Sequence, residues 1–194
     1  MSQNNSVIPY RRDATPTRIQ QGDIYRDVDL VEWTQGEGKE VVTTSRTFPY
    51  VVILTQDCDL LQDFNNRSSP TTTKHDKYLH SILLCPAYRT EEFKSGTHLR
   101  GLNLVMENWG GDKWKRILGN QSYRHHFLSS YADFQIPDLI LDFKHFVTAP
   151  RDIVYRASFR AVHLGTIADL YRENLSIRFA QYLSRIALPE IADA

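Results

Sequence analysis

The run Phe48-Pro49-Tyr50-Val51-Val52-Ile53-Leu54 limits what this chain can fold into more than any other feature. It is almost wholly apolar and rich in β-branched and aromatic residues, so it reads as a strand buried on both faces. After Thr55 it runs into Gln56-Asp57-Cys58-Asp59. A rigid strand end leading into two carboxylates that flank a thiol is a good place for a site. In an extended segment Asp57 and Asp59 point to the same side, where they make a candidate general base or cation-binding pair, with Asp23 as a third partner. Gln56 and Cys58 complete a candidate ligand pocket. The neighbouring carboxylates oppose ionisation of the Cys58 thiol, which argues against a nucleophile. Ordinary turn and helix-capping roles are the competing explanation for both aspartates.

The rest of the chain predicts a mainly β fold with α. Strands are expected from Ile19 to Trp33, from Glu40 to Ser45 after a Gln35–Lys39 turn, and from Tyr78 to Cys85, where Pro86 closes the strand. With the apolar run they make a small antiparallel unit. Asn65 to Lys74 is too polar to pack and reads as an excursion beside the candidate site. Leu99, Leu102, Val105 and Met106 recur at helical spacing, interrupted by Gly110-Gly111. Ser122–Ser129, Asp138–Val147, Arg151–Tyr155 and Ser158–His163 read as strands or half-strands. Thr166 with Asp169 resembles a capping box, opening a helix whose apolar stripe runs from Ile167 through Leu175, Phe179 and Tyr182 to Ile186, before Pro189. The expected division is a flexible arm over 1–18, which is also a candidate tail for a protein partner, a β-rich domain over 19–164, and a helical segment over 165–194 packed on it.

Lys plus Arg equals Asp plus Glu at 23 each, so no global field drives nucleic-acid or membrane binding, and any such site has to be local. The strongest local cluster is Lys113-Trp114-Lys115-Arg116 followed by Tyr123-Arg124-His125-His126-Phe127. Cations contact phosphates while exposed aromatics stack on unpaired bases, which suits single-stranded RNA. The alternative is that Trp114, Tyr123 and Phe127 are core and the cations a solvated face. Two cysteines are too few for a disulfide framework, no secretory pattern opens the chain, and no apolar run approaches the roughly 20 residues that span a bilayer. A soluble, cytoplasmic protein is expected. Cys58, Cys85, His75 and His80 lack paired ligand spacing, and nothing calls for a metal or cofactor.

Gly22-Asp23-Ile24-Tyr25, then Phe48 to Leu54, then Ile82-Leu83-Leu84-Cys85-Pro86, resembles in order and character the MazF/PemK-type toxins over about residues 19 to 90. The resemblance implies an SH3-like small β-barrel with insertions and a homodimer that cleaves single-stranded RNA. That family places an arginine directly before the proline of the apolar strand; here Phe48 stands there and Arg46 lies two positions earlier. Where the family carries a serine or threonine after the Cys-Pro strand end, this chain reads Ala87-Tyr88-Arg89-Thr90. Gln56-Asp57-Cys58-Asp59, with Ile177-Arg178-Phe179-Ala180, is also similar to an uncharacterised bacterial family. Two functions are therefore expected as alternatives. One is a MazF-like nucleic-acid effector using Arg46 or Arg124 on phosphate and Asp57, Asp59 or His125 for proton transfer, with Lys115, Tyr123 and His126 binding the strand. The other is a noncatalytic regulatory module of a bacterial stress or defence system.

Overall fold

The computed structural model describes residues 8–12, 17–35, 41–69, 71, 73, 75–156 and 162–185, without the side chains of 31–35 and 41–45. Eight strands form one antiparallel sheet: β1 (Tyr10–Arg11), β2 (Asp23–Gln35), β3 (Val41–Ile53), β4 (Ser81–Arg89), β5 (His125–Leu128), β6 (Leu139–Asp142), β7 (Val147–Pro150) and β8 (His163–Ile167). Their order is β1-β8-β2-β3-β4-β6-β5, with β7 beside the first half of β4. Among the described residues five α-helices accompany it: α1 (Asp57–Arg67), α2 (Thr90–Lys94), α3 (Gly111–Leu118), α4 (Arg151–Val154) and α5 (Asp169–Leu183).

The apolar run is central, and both of its faces are covered as its composition requires. Tyr50, Val52 and Leu54 enter one core cluster with Ile24, Cys85, Leu141, Phe143 and the Leu175 and Phe179 side chains of α5. Val51 and Ile53 enter another with Leu60 of α1, Ile82, Leu84 and Val154 of α4. Period-2 alternation breaks once. Phe48 and its partner Val28 lie in the second cluster, although parity places them with Tyr50 and Ile24. The change falls where Pro49, which has no N–H for the ladder, stands opposite Asp27, whose φ is +53°.

The sheet is not closed, but its ends face one another. Residues of every strand except β7 contribute to the first cluster, and a seam cleft of about 160 Å³ is lined by Pro9 and Tyr10 on one side and His126 to Leu128 on the other. The Tyr10 hydroxyl donates to the Ser129 carbonyl at 2.5 Å across it. Outward-facing backbone groups of β5 meet side chains: Asn120, held at φ +55°, accepts from the Phe127 N–H at 2.7 Å and donates to its carbonyl at 3.1 Å. Arg178 of α5 donates to the His125 carbonyl at 2.8 Å.

Several local expectations are corrected. Part of the expected arm, Tyr10-Arg11, is a strand on β8, and Tyr10 is core; residues 1–7 and 13–16 lie outside the described residues. The expected second strand and the apolar run are one strand, β3, while 36–40 lie outside the described residues. β4 passes through Pro86 to Arg89, because Pro86 pairs with Val51 without breaking the strand. Asn65 to Arg67 are helical, and 70, 72 and 74 lie outside the described residues. Between Leu99 and Met106 only Arg100–Leu102 turns, as a 3-10 helix, and Val105 is 98% exposed. Arg151 to Val154 is helical. Thr166 belongs to β8, where its hydroxyl bonds Asp23, so α5 starts at Asp169 without the capping box. It runs unbroken through Asn174 to Ser176; Ser158 to 161, Ile186 and Pro189 lie outside the described residues. Among the described residues no helix is long and apolar enough to cross a membrane.

Candidate functional site

The segment after β3 is not extended. Gln56 precedes α1, and Asp57, Cys58 and Asp59 form its first turn, where acidic side chains complement the helix dipole. Successive helical residues diverge, so Asp57 and Asp59 do not share a side. Gln56, Cys58 and Asp59 are exposed, whereas Asp57 turns inward to a bidentate pair with Arg18 at 2.9 Å and 2.9 Å. The Gln21 N–H donates to it at 3.3 Å and Arg172 of α5 lies 3.8 Å away. Burial alone raises this carboxyl, but the Arg18 bonds and charge outweigh it and hold the group below its ordinary value. Its oxygens are committed to holding chain segments together.

Asp23 is also buried, accepting from the Thr166 hydroxyl at 2.5 Å and the Gln20 N–H at 2.8 Å, with His163 at 3.3 Å. It shares no ligand position with Asp57. Among the described residues no group of three His, Cys, Asp or Glu is arranged to hold a metal ion.

Chemistry converges instead where β5 meets β6. A cleft of about 410 Å³ is lined by Lys113 and Arg116 of α3, Arg124 and His125, Arg185 beyond α5, and the aromatic rings of Trp109 and Tyr123. Among the described residues no carboxylate lines it. Glu107 pairs with Lys113 at 3.4 Å on the exposed rim, while among the described residues no ion pair engages Arg116 or Arg185. Tyr123 is 65% exposed, so its ring is available to a ligand.

Register builds the back wall. His125 pairs with Asp142, and the Phe143 N–H bonds the Arg124 carbonyl at 2.9 Å, which brings the Arg124 side chain against the end of β6. Arg124 donates through Nε at 2.7 Å and Nη2 at 2.5 Å to a fully buried Asp142, which also accepts from the Lys144 N–H at 3.0 Å. This hydrogen bonding raises the guanidinium pKa, and it overrides the burial that would otherwise push Asp142 up, leaving that carboxyl below its usual value. Arg124 is thus fixed in direction before any ligand arrives.

Two imidazoles flank Asp142. His125 Nε2 is 3.9 Å and His145 Nε2 3.7 Å from it. His125 Nδ1 meets the Ser122 hydroxyl at 2.9 Å, and its ring stands edge-on to Trp109. Burial pushes the His125 pKa down to about 4, against the pull of Asp142, so the ring is neutral at pH 7. An anion bound beside it favours the imidazolium and moves the pKa back up. His145 Nδ1 lies 3.1 Å from the Tyr88 hydroxyl, carrying the polar wall through to β4.

The structure therefore brings together Tyr123, Arg124 and His125 of the sequence-predicted residues. Lys115 points elsewhere and pairs with Asp112 at 3.2 Å. His126 faces the seam and accepts from Arg178 at 3.0 Å; burial pushes its pKa down to about 3. Arg46 lines a different cleft and stacks over Phe48. Sequence reasoning missed Asp142, Ser122 and Arg185. Leu139-Ile140-Leu141-Asp142 repeats the very signal read at Asp57, a buried strand running into an acid. No protein-family model matches the chain, and no curated protein aligns significantly with it.

Proposed function

We propose that this chain is a nucleic-acid-targeting effector that holds single-stranded RNA in the Arg124 cleft. The carrying observation is the convergence of four cationic side chains and two aromatic rings on one cleft of a chain with no net charge. Phosphates take the cations, with Arg124 as the oriented donor, and unstacked bases take Trp109 and Tyr123. In this reading the curled sheet is an SH3-like barrel left open at the β1–β5 seam. Strand cleavage of the MazF kind would draw on Arg124 for phosphate charge and on His125 for proton transfer once a bound phosphate has raised its pKa.

The second reading is a noncatalytic binding module of a bacterial stress or defence system. It is favoured by the commitment of Asp57 to Arg18 and by the burial of His125, whose lowered pKa makes its neutral ring a weak base. Mixed-sequence single-stranded RNA, assayed for anisotropy and for cleavage with and without divalent metal, separates the two. The effector reading expects both binding and cleavage, lost together in Arg124→Ala/His125→Ala. Binding without cleavage selects the module, and absence of both sinks the RNA assignment.

A further inference from the structure

Strand β5 separates two clefts, because His125 and His126 project from its opposite faces. His125 belongs to the Arg124 cleft, and His126 to the seam cleft of about 160 Å³ between the ends of the sheet. The walls of the seam cleft are mostly apolar, with Pro9, Tyr10, Leu128 and Ile167 among them. Its mouth meets solvent, since Ser129 and Asn174 are exposed and Tyr171 is 38% exposed. An apolar cavity of about 150 Å³ takes a molecule the size of benzene, which sets the scale of a ligand here.

One polar atom of this cleft is without a partner. Arg178 donates through Nε to His126 Nδ1 at 3.0 Å. A guanidinium keeps its protons, so Nδ1 supplies the lone pair, and burial holds the ring neutral by pushing its pKa down to about 3. The single ring proton therefore sits on Nε2. His126 is 4% exposed, and Nε2 makes no hydrogen bond among the described residues. Unlike both His98 nitrogens and Nε2 of His125, it is not sealed from solvent. A nearly buried ring that lines a cleft and keeps an open N–H presents that donor to the cleft.

The charge behind the ring is one-sided. Arg178 also donates to the carbonyls of Asn120, Ser122 and His125, the last two at 2.6 Å and 2.8 Å, and among the described residues no carboxylate pairs with it. Burial, with no acid to oppose it, lowers its pKa. Carbonyl dipoles hold the guanidinium without neutralising it, and its charge polarises the imidazole through the shared hydrogen bond, strengthening Nε2–H as a donor. Among the described residues no carboxylate lines the cleft; Asp138, whose charge reaches Tyr10, accepts from the Ser130 N–H at 2.6 Å outside it. A cationic ligand finds no partner here, a hydrocarbon leaves the donor unmet, and a phosphate dianion loses its hydration for one N–H between apolar walls. A carboxylate on a short apolar body satisfies the donor, the charge and the walls together.

We propose that the seam cleft is a binding site for a small organic monocarboxylate, with a carboxylate oxygen on His126 Nε2 and the apolar body against Tyr10, Leu128 and Ile167. The site stands whether or not RNA occupies the Arg124 cleft.

Benzoate, titrated at fixed pH into the full chain and followed by NMR, is expected to shift the Leu128, Ser129 and Ile167 amides saturably together with the His126 Nε2 resonance. Benzamide keeps the shape without the charge and acetate keeps the charge without the body, and each should bind at least about tenfold more weakly. Asn174→Trp crowds the mouth from an exposed position on α5, and His126→Phe keeps a ring while removing the donor. Both variants should lose the benzoate shifts; if His126→Phe lowers the melting temperature, Asn174→Trp decides. The site is overturned by the absence of a saturable benzoate shift, by equal affinity for benzamide, or by shifts at these amides that persist in a well-folded Asn174→Trp variant. Imidazole nitrogen shifts that place the ring proton on Nδ1 overturn it as well.

Discussion

One buried strand of this protein ends in an aspartate and another leads through a short segment into one at a helix start, and the two aspartates have opposite surroundings. β3 runs into Asp57, whose arginine partner Arg18 comes from the N-terminal segment and ties it to α1. β6 runs into Asp142, whose partner Arg124 also lines a cleft with three further cations. A carboxylate at a strand end therefore reports where polar chemistry is anchored, and only the position of its cation tells whether a ligand can reach it. At Asp57 the pair is a fastener; at Asp142 the carboxylate is the support and the arginine is the tool.

The sharpest way to break this comparison is through stability. Asp142→Ala leaves Arg124 and the Lys144 N–H facing an empty buried site, and is expected to cost about 3–5 kcal/mol. Asp57→Ala removes a pair whose members are 17% and 24% exposed, and is expected to cost about 1 kcal/mol. Equal costs in urea unfolding would erase the distinction.

Acid should separate the regions next. His125 takes its proton at about pH 4 when folded and near 6.5 when unfolded. Its stabilising contribution is complete above about pH 6.5 and falls on acidification to about pH 4, by at most about 1.4 kcal/mol per pH unit. His126 adds a similar loss. The lowered carboxyls of Asp57 and Asp142 contribute fully above their unfolded value of about 3.9, and that contribution is lost as the pH falls from there through their lower folded values. Urea midpoints from pH 7 to 3 should show two acid losses, with His125→Gln reducing the upper one. A flat profile above pH 4.5 would contradict the neutral buried ring.

Binding sharpens the contrast further. Arg124→Ala is expected to weaken RNA affinity about tenfold, while Asp57→Ala/Asp59→Ala should leave it within about twofold; the reverse order in anisotropy titrations would move the site to α1. Removing Lys113 and Arg116 together should reduce the slope of log affinity against log salt by about 1.4, at about 0.7 per phosphate contact. The smallest effect is expected at Cys58, an exposed residue whose thiol lies 3.6 Å from the Gln56 side chain and 3.7 Å from that of Asp59: Cys58→Ser should change stability by less than about 0.5 kcal/mol.

Residue types along one strand carry information about burial, and that part was legible: Phe48 to Leu54 had to be covered twice, and α5 had to pack on a sheet. The cationic cluster was legible as Lys113, Tyr123, Arg124 and His125 because neighbouring residues supplied it. What the sequence hid was partnership over distance. Arg18 lies 39 residues from Asp57, and Arg124 lies 18 from Asp142. Helical conformation at Asp57 and at Arg151 was hidden for a related reason, since short polar turns have little periodicity and packing decides them. Pro86 was misleading because a strand excludes proline only where the missing N–H is needed by the ladder.

The Asn120 side chain has a consequence for the company this molecule keeps. An unsealed sheet ordinarily offers its outer strand as a template on which identical chains add in register, the route to fibres and precipitates. By presenting an amide that imitates one residue of an added strand, and with Tyr10 and Arg178 covering the positions on either side, the protein occupies that template with itself. It can keep an unclosed sheet, with a cleft where its ends face one another, and still remain poorly suited to polymerise through β5.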